Sequence, residues 1–170
     1  MTIMETANLI LRNWHETDAP ALFQLCQDDT LRKNGIASFE SIQSAQETLL
    51  SWTKDSRFKA IIHRESGELI GFISLGDMNR YKGYAELEYA IAADYRNRGY
   101  TTEAVKCMID YGFSKLDLAV IAAWVRSYNT ESVRVLEKCA FVFEGRLRKH
   151  ARDQSDTLCY SILREEWEDK

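Results

Sequence analysis

The stretch Tyr84-Ala-Glu-Leu-Glu-Tyr-Ala-Ile-Ala-Ala-Asp-Tyr-Arg-Asn-Arg-Gly-Tyr-Thr-Thr-Glu-Ala104 decides the reading of this chain. Its first part, Tyr84 to Ala92, alternates and is rich in β-formers, which predicts a strand. From Thr101 to Phe113 the apolar residues Ala104, Val105, Met108, Ile109 and Phe113 fall at helical spacing. Between strand and helix lies a turn carrying Arg96, Arg98 and Gly99. The first N–H groups of a helix lack partners within it and sit at the positive end of its dipole. A glycine there lets backbone approach a phosphate, and arginines supply planar donors suited to phosphate oxygens. Two readings therefore stand side by side: an anion site, or an ordinary strand-to-helix turn with solvated arginines.

The same strand carries a second pattern. Alternation places Tyr84, Glu86, Glu88 and Ala90 on one face and Leu87, Tyr89 and Ile91 on the other. Two carboxylates then share a face at about 7 Å spacing. Their mutual repulsion would raise the pKa of at least one, which suits a general base. A solvated strand face is the plain alternative.

Working outward, Leu9 to Arg12 reads as a short strand, and Thr17-Asp18-Ala19-Pro20 opens a helix with a capping side chain and an early proline. A second helix is expected over Ser41 to Lys54, with Ile42, Ala45, Leu49 and Trp52 on its apolar stripe. Phe58 to Ile62 and Leu69 to Leu75 flank the glycine-containing turn Glu65-Ser66-Gly67-Glu68 and predict a hairpin. Beyond the central helix, Val120 to Val125 is a strand and Thr130 to Lys138 a helix. Phe141 to Arg148 and Leu158 to Leu163 form an antiparallel pair. Helices interleave with strands that close in hairpins at both ends, so the class is α+β with a mixed, mostly antiparallel sheet.

With 170 residues, no linker and no repeat, the chain predicts a single domain over residues 1–170. Its longest apolar run, Leu118 to Val125, is far short of the about 20 residues a membrane-spanning helix needs. The segment Met1-Thr2-Ile3-Met4-Glu5 has neither a basic nor a long apolar stretch, so no secretion signal is expected. A net charge of −4 argues against nucleic-acid binding through a generally basic surface. Cys26, Cys107, Cys139 and Cys159 are scattered, as are His15, His63 and His150. No zinc spacing exists, and the thiols read as buried and free in a reducing cytoplasm. The loop has neither a Gly-Lys-Ser/Thr ending nor a G-x-G-x-x-G pattern, which disfavours a nucleotide triphosphatase or a dinucleotide oxidoreductase and leaves a phosphate-loop kinase as a weaker rival.

Arg96-Asn97-Arg98-Gly99-Tyr100-Thr101 resembles the pyrophosphate loop, Gln/Arg-x-x-Gly-x-Gly/Ala, of the GCN5-related N-acetyltransferase (GNAT) superfamily, with Thr101 departing from its last position. Further marks resemble the branch that modifies ribosomal-protein N-termini (RimJ/RimL-like). They are Leu9-Ile-Leu-Arg-Asn-Trp14 with Asp18-Ala19, Ala85-Glu86-Leu87 with Tyr89, Arg98-Gly99-Tyr100-x-Thr102-Glu103-Ala104, Asn129-x-x-Ser132 leading to Leu136-Glu137-Lys138-x-x-Phe141, and Tyr160-Ser-Ile-Leu163 with Glu166-Trp167.

The resemblance implies a GNAT fold whose sheet splays at the cofactor site between flanking helices. It implies direct acetyl transfer from acetyl-CoA, in a ternary complex and without metal, to a primary amine: a protein N-terminus or a small amine such as a polyamine or amino sugar. Ile91 would offer backbone hydrogen bonds to the pantetheine arm, and the loop Arg96, Asn97, Arg98, Gly99, Tyr100 and Thr101 would bind the pyrophosphate. Asn129 would bind pantetheine amides; the residues alone read it as a helix N-cap, and the two roles are compatible. Glu86 matches the branch's glutamate and is the expected base. Glu88 replaces a common glycine and stands as a second base, a clamp for a cationic substrate or a block on the usual acceptor. The superfamily's acidic tyrosine is replaced by Leu136, so Ser132 would stabilise the leaving sulfur, with Tyr128 a weaker substitute. The departures at Leu136 and Thr101 motivate the alternative of a non-catalytic CoA-binding sensor or interaction module. Trp14, Phe39, Trp52 and Tyr81 are candidates for the acceptor pocket or for plain packing; Lys149, His150 and Arg152 read as solvated loop charge. The resemblance carries the expectation of a cytoplasmic monomer or homodimer with no nucleic-acid or membrane partner.

Overall fold

A computed structural model describes residues 3–76 and 81–168. Among them the strands are β1 (Met4–Glu5), β2 (Leu9–Asn13), β3 (Phe58–His63), β4 (Leu69–Gly76), β5 (Tyr84–Ile91), β6 (Val120–Arg126), β7 (Val142–Leu147) and β8 (Thr157–Leu163). The α-helices are α1 (Ala19–Leu25), α2 (Asp29–Lys33), α3 (Ile42–Trp52), α4 (Tyr100–Ser114), α5 (Thr130–Lys138) and α6 (Arg164–Glu168). The strand order is β1-β2-β3-β4-β5-β6-β8-β7. The pairs β1–β2, β2–β3, β3–β4, β6–β8 and β7–β8 are antiparallel, and β5–β6 is parallel. This is the expected α+β class with an open, mostly antiparallel sheet.

The chain forms two compact units, Met1–Ser74 with Tyr89–Cys107, and Leu75–Glu88 with Met108–Lys170. In the first, β3 and β4 make the expected hairpin. His63 donates its N–H to the Glu68 carbonyl at 2.9 Å, and Gly67 sits at φ 72°. A β-carbon on Gly71 of β4 would stand 2.2 Å from the Ala90 carbonyl oxygen, so β4 and β5 approach there as only glycine permits. The core joins Trp14, Leu22, Leu25, Leu31, Leu49, Ile62 and Phe72. Trp52 bridges its aromatic members, with ring centroids 5.6 Å from Trp14, 5.1 Å from Phe58 and 5.8 Å from Phe72. Trp14 is therefore core, as are most apolar residues of this unit, while Phe39 and Trp52 pack half-buried against it.

Three details differ from expectation. Asp18 does not cap α1, because its carboxylate is taken by Arg12 at 2.7 and 2.9 Å and by the His15 N–H at 2.8 Å. The five-residue helix α2, too short to show a periodic stripe, stands between the two expected helices. Ile42, placed on the apolar stripe of α3, is exposed.

In the second unit, β6 pairs with β8 over its whole length, from Val120↔Leu163 to Arg126↔Thr157. Its parallel register with β5 runs only from Tyr84↔Val120 to Glu86↔Ala122. Parallel neighbours need a crossover, and α4 lies between them in the chain. Gly112 lets α4 sit close on its neighbours, since a β-carbon there would meet Ile121 and Leu75 at 2.9 and 3.0 Å. The terminal strand β7 is mostly exposed and bulged between Phe143 and Gly145.

Candidate active site

The turn entering α4 belongs to the first unit. After β5, a 3-10 turn (Ala93–Tyr95) leads to Arg96 in extended conformation, then to Asn97 at φ 58° and Gly99 at φ 83°. Alternating left-handed residues turn successive backbone N–H groups toward one side, the arrangement that makes an anion-binding concavity. The Gly99 carbonyl accepts the first helical bond, from the Glu103 N–H at 3.0 Å. Tyr100, Thr101 and Thr102 thus occupy the first turn, where N–H groups have no acceptor inside the helix. A β-carbon on Gly99 would meet nothing within 4 Å. The space above Gly99 is open, at the positive end of the α4 dipole.

The two arginines divide the work. Arg98 stays beside the turn, its guanidinium 5.6 Å from the Tyr95 ring centroid. Arg96 points elsewhere: its Nε–H donates to the Ile91 carbonyl at 3.0 Å and its Nη2 to Asp28 Oδ2 at 2.9 Å. The Ile91 backbone, expected to face pantetheine, thus spends one carbonyl lone pair within the chain.

Around the turn stand further residues, His63, Ser66, Glu68 and Tyr95 among them, to which sequence reading gave no role. His63 Nε2 lies 3.2 Å from the Tyr100 hydroxyl and Nδ1 lies 3.0 Å from Ser66 Oγ. The Tyr95 hydroxyl donates to Glu68. His63, Glu68, Leu69, Asp94, Tyr95 and Arg98 line most of a cleft of about 560 Å³. Glu103 accepts from the Asn8 N–H at 2.7 Å, from Asn8 Nδ2 at 2.9 Å and from the Thr6 hydroxyl. Burial acts to raise its carboxyl, but these hydrogen bonds win and hold it below the ordinary range. Asp28, the partner of Arg96, carried a local signal as a side chain suited to start a helix.

Glu86, Glu88, Asn129 and Ser132 belong to the second unit. The Tyr84 hydroxyl donates to Glu86 Oε1 at 2.8 Å, confirming that residues two apart share a face. Glu86 is half-buried and Glu88 exposed. Burial among protein atoms raises the Glu88 carboxyl above its ordinary range, with the Glu86 charge as second cause. Side-chain exposure and desolvation coexist when a water-accessible group stands among protein walls. Asn129 caps α5, its Oδ1 accepting from the Ser132 N–H at 3.2 Å. Leu136 is 1% exposed, so the position of the missing tyrosine is a packed core site here. The Tyr128 hydroxyl donates to Asp153 at 2.9 Å, and burial and that carboxylate both make it a weaker acid.

Of the other candidates, Tyr81 is exposed and lies 5.3 Å from the Tyr84 ring. His150 is exposed, its ring tilted at 5.4 Å from that of Trp124 and its Nδ1 3.1 Å from the Thr157 hydroxyl. Cys26 and Cys139 are buried and Cys107 and Cys159 half-buried, and none of the four is in a disulfide. Among the described residues no helix is long and apolar enough to cross a membrane, and no group of His, Cys, Asp and Glu is arranged to hold a metal.

Comparison with known proteins places these observations. Residues 8–142 match the Acetyltransferase (GNAT) domain family. The uncharacterized N-acetyltransferase YoaA of Bacillus subtilis is 33% identical over 171 residues, covering 95% of this chain and 97% of that protein. The fold superposes on ribosomal-protein-S5-alanine acetyltransferase from Vibrio fischeri with TM-score 0.87 at 19% identity, covering 98% and 99% of the two chains. It also superposes on spermidine N-acetyltransferase from Vibrio cholerae, solved in complex with CoA and spermine, with TM-score 0.84 at 23% identity, covering 95% and 99%. The strand order, the parallel pair bridged by α4 and the open turn at its start thus have a shared origin: the chain belongs to the GNAT family and is an acetyltransferase.

Proposed function

We propose that the protein transfers an acetyl group from acetyl-CoA directly to a primary amine, within one GNAT domain acting in the cytoplasm. The observation that carries this reading is the turn at Arg96–Thr101, with left-handed Asn97 and Gly99 and open space above Gly99. Acetyl-CoA supplies the acetyl group as an activated thioester. The N–H groups from Arg98 to Thr101 hold its diphosphate, aided by the Arg98 guanidinium. Arg96 serves by fixing the turn, not by touching phosphate.

The acceptor arrives as an ammonium ion and reacts only as the neutral amine, so a base must take its proton. Glu86 takes that role, directly or through water, its carboxylate aimed by the Tyr84 hydroxyl. Glu88 adds negative charge on the same face and favours a cationic acceptor. Asn129 keeps Oδ1 on the α5 amide and offers its amide N–H groups to pantetheine. The Ser132 hydroxyl is too weak an acid to protonate sulfur outright, so it donates a hydrogen bond to it. The two structural relatives act, by name, on a ribosomal-protein alanine and on spermidine. Their common denominator is a primary amine, the acceptor class we propose for this chain.

Thiol release from acetyl-CoA, measured with peptide N-termini, polyamines and amino sugars in turn, tests the reading. Amine-dependent release is expected, without an acetylated protein in mass spectra taken before amine is added. Tight acetyl-CoA binding with no release for any amine would overturn the catalytic reading. A covalently acetylated protein would overturn direct transfer.

A further inference from the structure

Arg96 and Asp28 are 68 residues apart in sequence, and the hydrogen bond between them joins two elements that otherwise serve different ends. Asp28 precedes α2, and its two carboxylate oxygens have separate tasks. Oδ1 accepts from the Thr30 N–H at 2.8 Å and the Leu31 N–H at 3.1 Å, which caps α2. Oδ2 accepts from Arg96 Nη2 at 2.9 Å. The other edge of the same guanidinium donates to the Ile91 carbonyl, where β5 ends. Arg96 is therefore clamped between the end of a strand and the start of a helix. Asn97, the first left-handed residue of the turn, follows it directly.

An exposed ion pair contributes little. This one is different in geometry: both side chains are about one-fifth exposed, at 20% and 22%, and the fork spans two acceptors. Rotation about the Arg96 backbone would swing Asn97 through Gly99, so restraining its side chain at two points restrains the pose of the turn. A binding site held in its bound conformation avoids the ordering cost at the moment of binding.

We propose that Asp28 is a positioning residue for the diphosphate turn, acting through Arg96, and that filling the turn in return stabilises α2. The proposal rests on the reading of the turn as the acetyl-CoA site. Coupling between two sites is reciprocal, so if Asp28 steadies the turn, an occupied turn must steady the segment that Asp28 caps.

Asp28→Asn separates the two tasks of this residue. Asparagine caps a helix about as well as aspartate, so α2 keeps its N-cap while the negative charge facing Arg96 is lost. Calorimetric titration with acetyl-CoA would compare wild type, Asp28→Asn, Arg96→Gln and the double variant. Each single change is expected to raise Kd about tenfold and the double no further, because both break one linkage. In turnover, Asp28→Asn is expected to raise KM for acetyl-CoA by the same factor with kcat held within about twofold. Amide exchange gives a second readout: acetyl-CoA should slow exchange over Leu31–Ile36 in wild type and not in Asp28→Asn. Binding by Asp28→Asn as tight as wild type, or additive losses in the double variant, overturns the proposal while leaving the acetyl-CoA site intact. Failure of wild type itself to bind acetyl-CoA overturns both.

Discussion

The Tyr84 hydroxyl donates a 2.8 Å hydrogen bond to Glu86 Oε1 from two residues earlier on the same strand. A tyrosine 6% exposed thus fixes the carboxylate proposed to take the proton of the acceptor ammonium. Glu86→Gln keeps the shape and the acceptor oxygen but removes the base. It is expected to lower kcat by about 10²–10⁴-fold, the usual range for a positioned base, while acetyl-CoA affinity holds. Tyr84→Phe leaves the base but removes the hydrogen bond at its Oε1, and a loss under about tenfold is expected. Steady-state kinetics with calorimetry checks both; unchanged turnover in Glu86→Gln across pH removes this residue from the mechanism.

Glu88 makes a prediction about stability. Its folded-state carboxyl is raised, first by burial and then by Glu86. Just above the unfolded chain's value of about 4.3, the folded protein therefore still holds a proton that the unfolded chain has lost. Stability conferred by the protonated form is fully present below that value and is lost as pH rises through the folded-state pKa. Glu88→Gln is accordingly expected to melt above wild type at pH 7 and level with it at pH 4. A variant that melts below wild type at pH 7 would show that the charge is compensated.

The glycines predict two different kinds of damage. At Gly71 a β-carbon would meet the Ala90 carbonyl oxygen at 2.2 Å, backbone that cannot step aside. Gly71→Ala is expected to destabilise by about 3 kcal/mol, the upper range for overpacking. At Gly99 there is space, but φ is 83°. Gly99→Ala is expected to cost about 1–2 kcal/mol of backbone strain and, beyond that, acetyl-CoA affinity, because the turn relaxes or the new methyl meets the diphosphate. Denaturant unfolding with and without acetyl-CoA separates the two effects: ligand should rescue Gly71→Ala more than Gly99→Ala.

What could be read in the sequence is what local pattern encodes. The hairpin, the strand-turn-helix at Tyr84–Ser114 and α5 at Thr130–Lys138 carry their own periodicity and turn residues, and they stand within one or two residues of expectation. The short α2, the two-residue β1 and the terminal α6 carry too few positions to show a period. Side-chain destinations were the harder problem. Arg96 reads as a phosphate ligand by its place in the motif, yet it bonds Asp28, 68 residues away, and the Ile91 carbonyl, contacts that no local pattern betrays. Asp18 reads as a helix cap and is drawn off by Arg12 from the preceding strand. His63 gives no local signal at all, because its contact with Tyr100 exists only after β3 is placed beside the start of α4.

Asn129 allows its structural and functional roles to be told apart. Its Oδ1 caps α5 through the Ser132 N–H, a task that needs only an acceptor oxygen. Binding pantetheine carbonyls needs the amide as a donor. Asn129→Asp keeps the cap and adds a charge that suits a helix N-terminus, so stability should match wild type. Its carboxylate cannot donate, and acetyl-CoA affinity is expected to fall about tenfold, the effect of losing a hydrogen bond and leaving its partner unsatisfied. Asn129→Ala should lose affinity and also about 1 kcal/mol of stability. Thermal melts and calorimetric titration of the two variants decide the point: an Asn129→Asp protein that binds acetyl-CoA as wild type does returns this residue to capping alone.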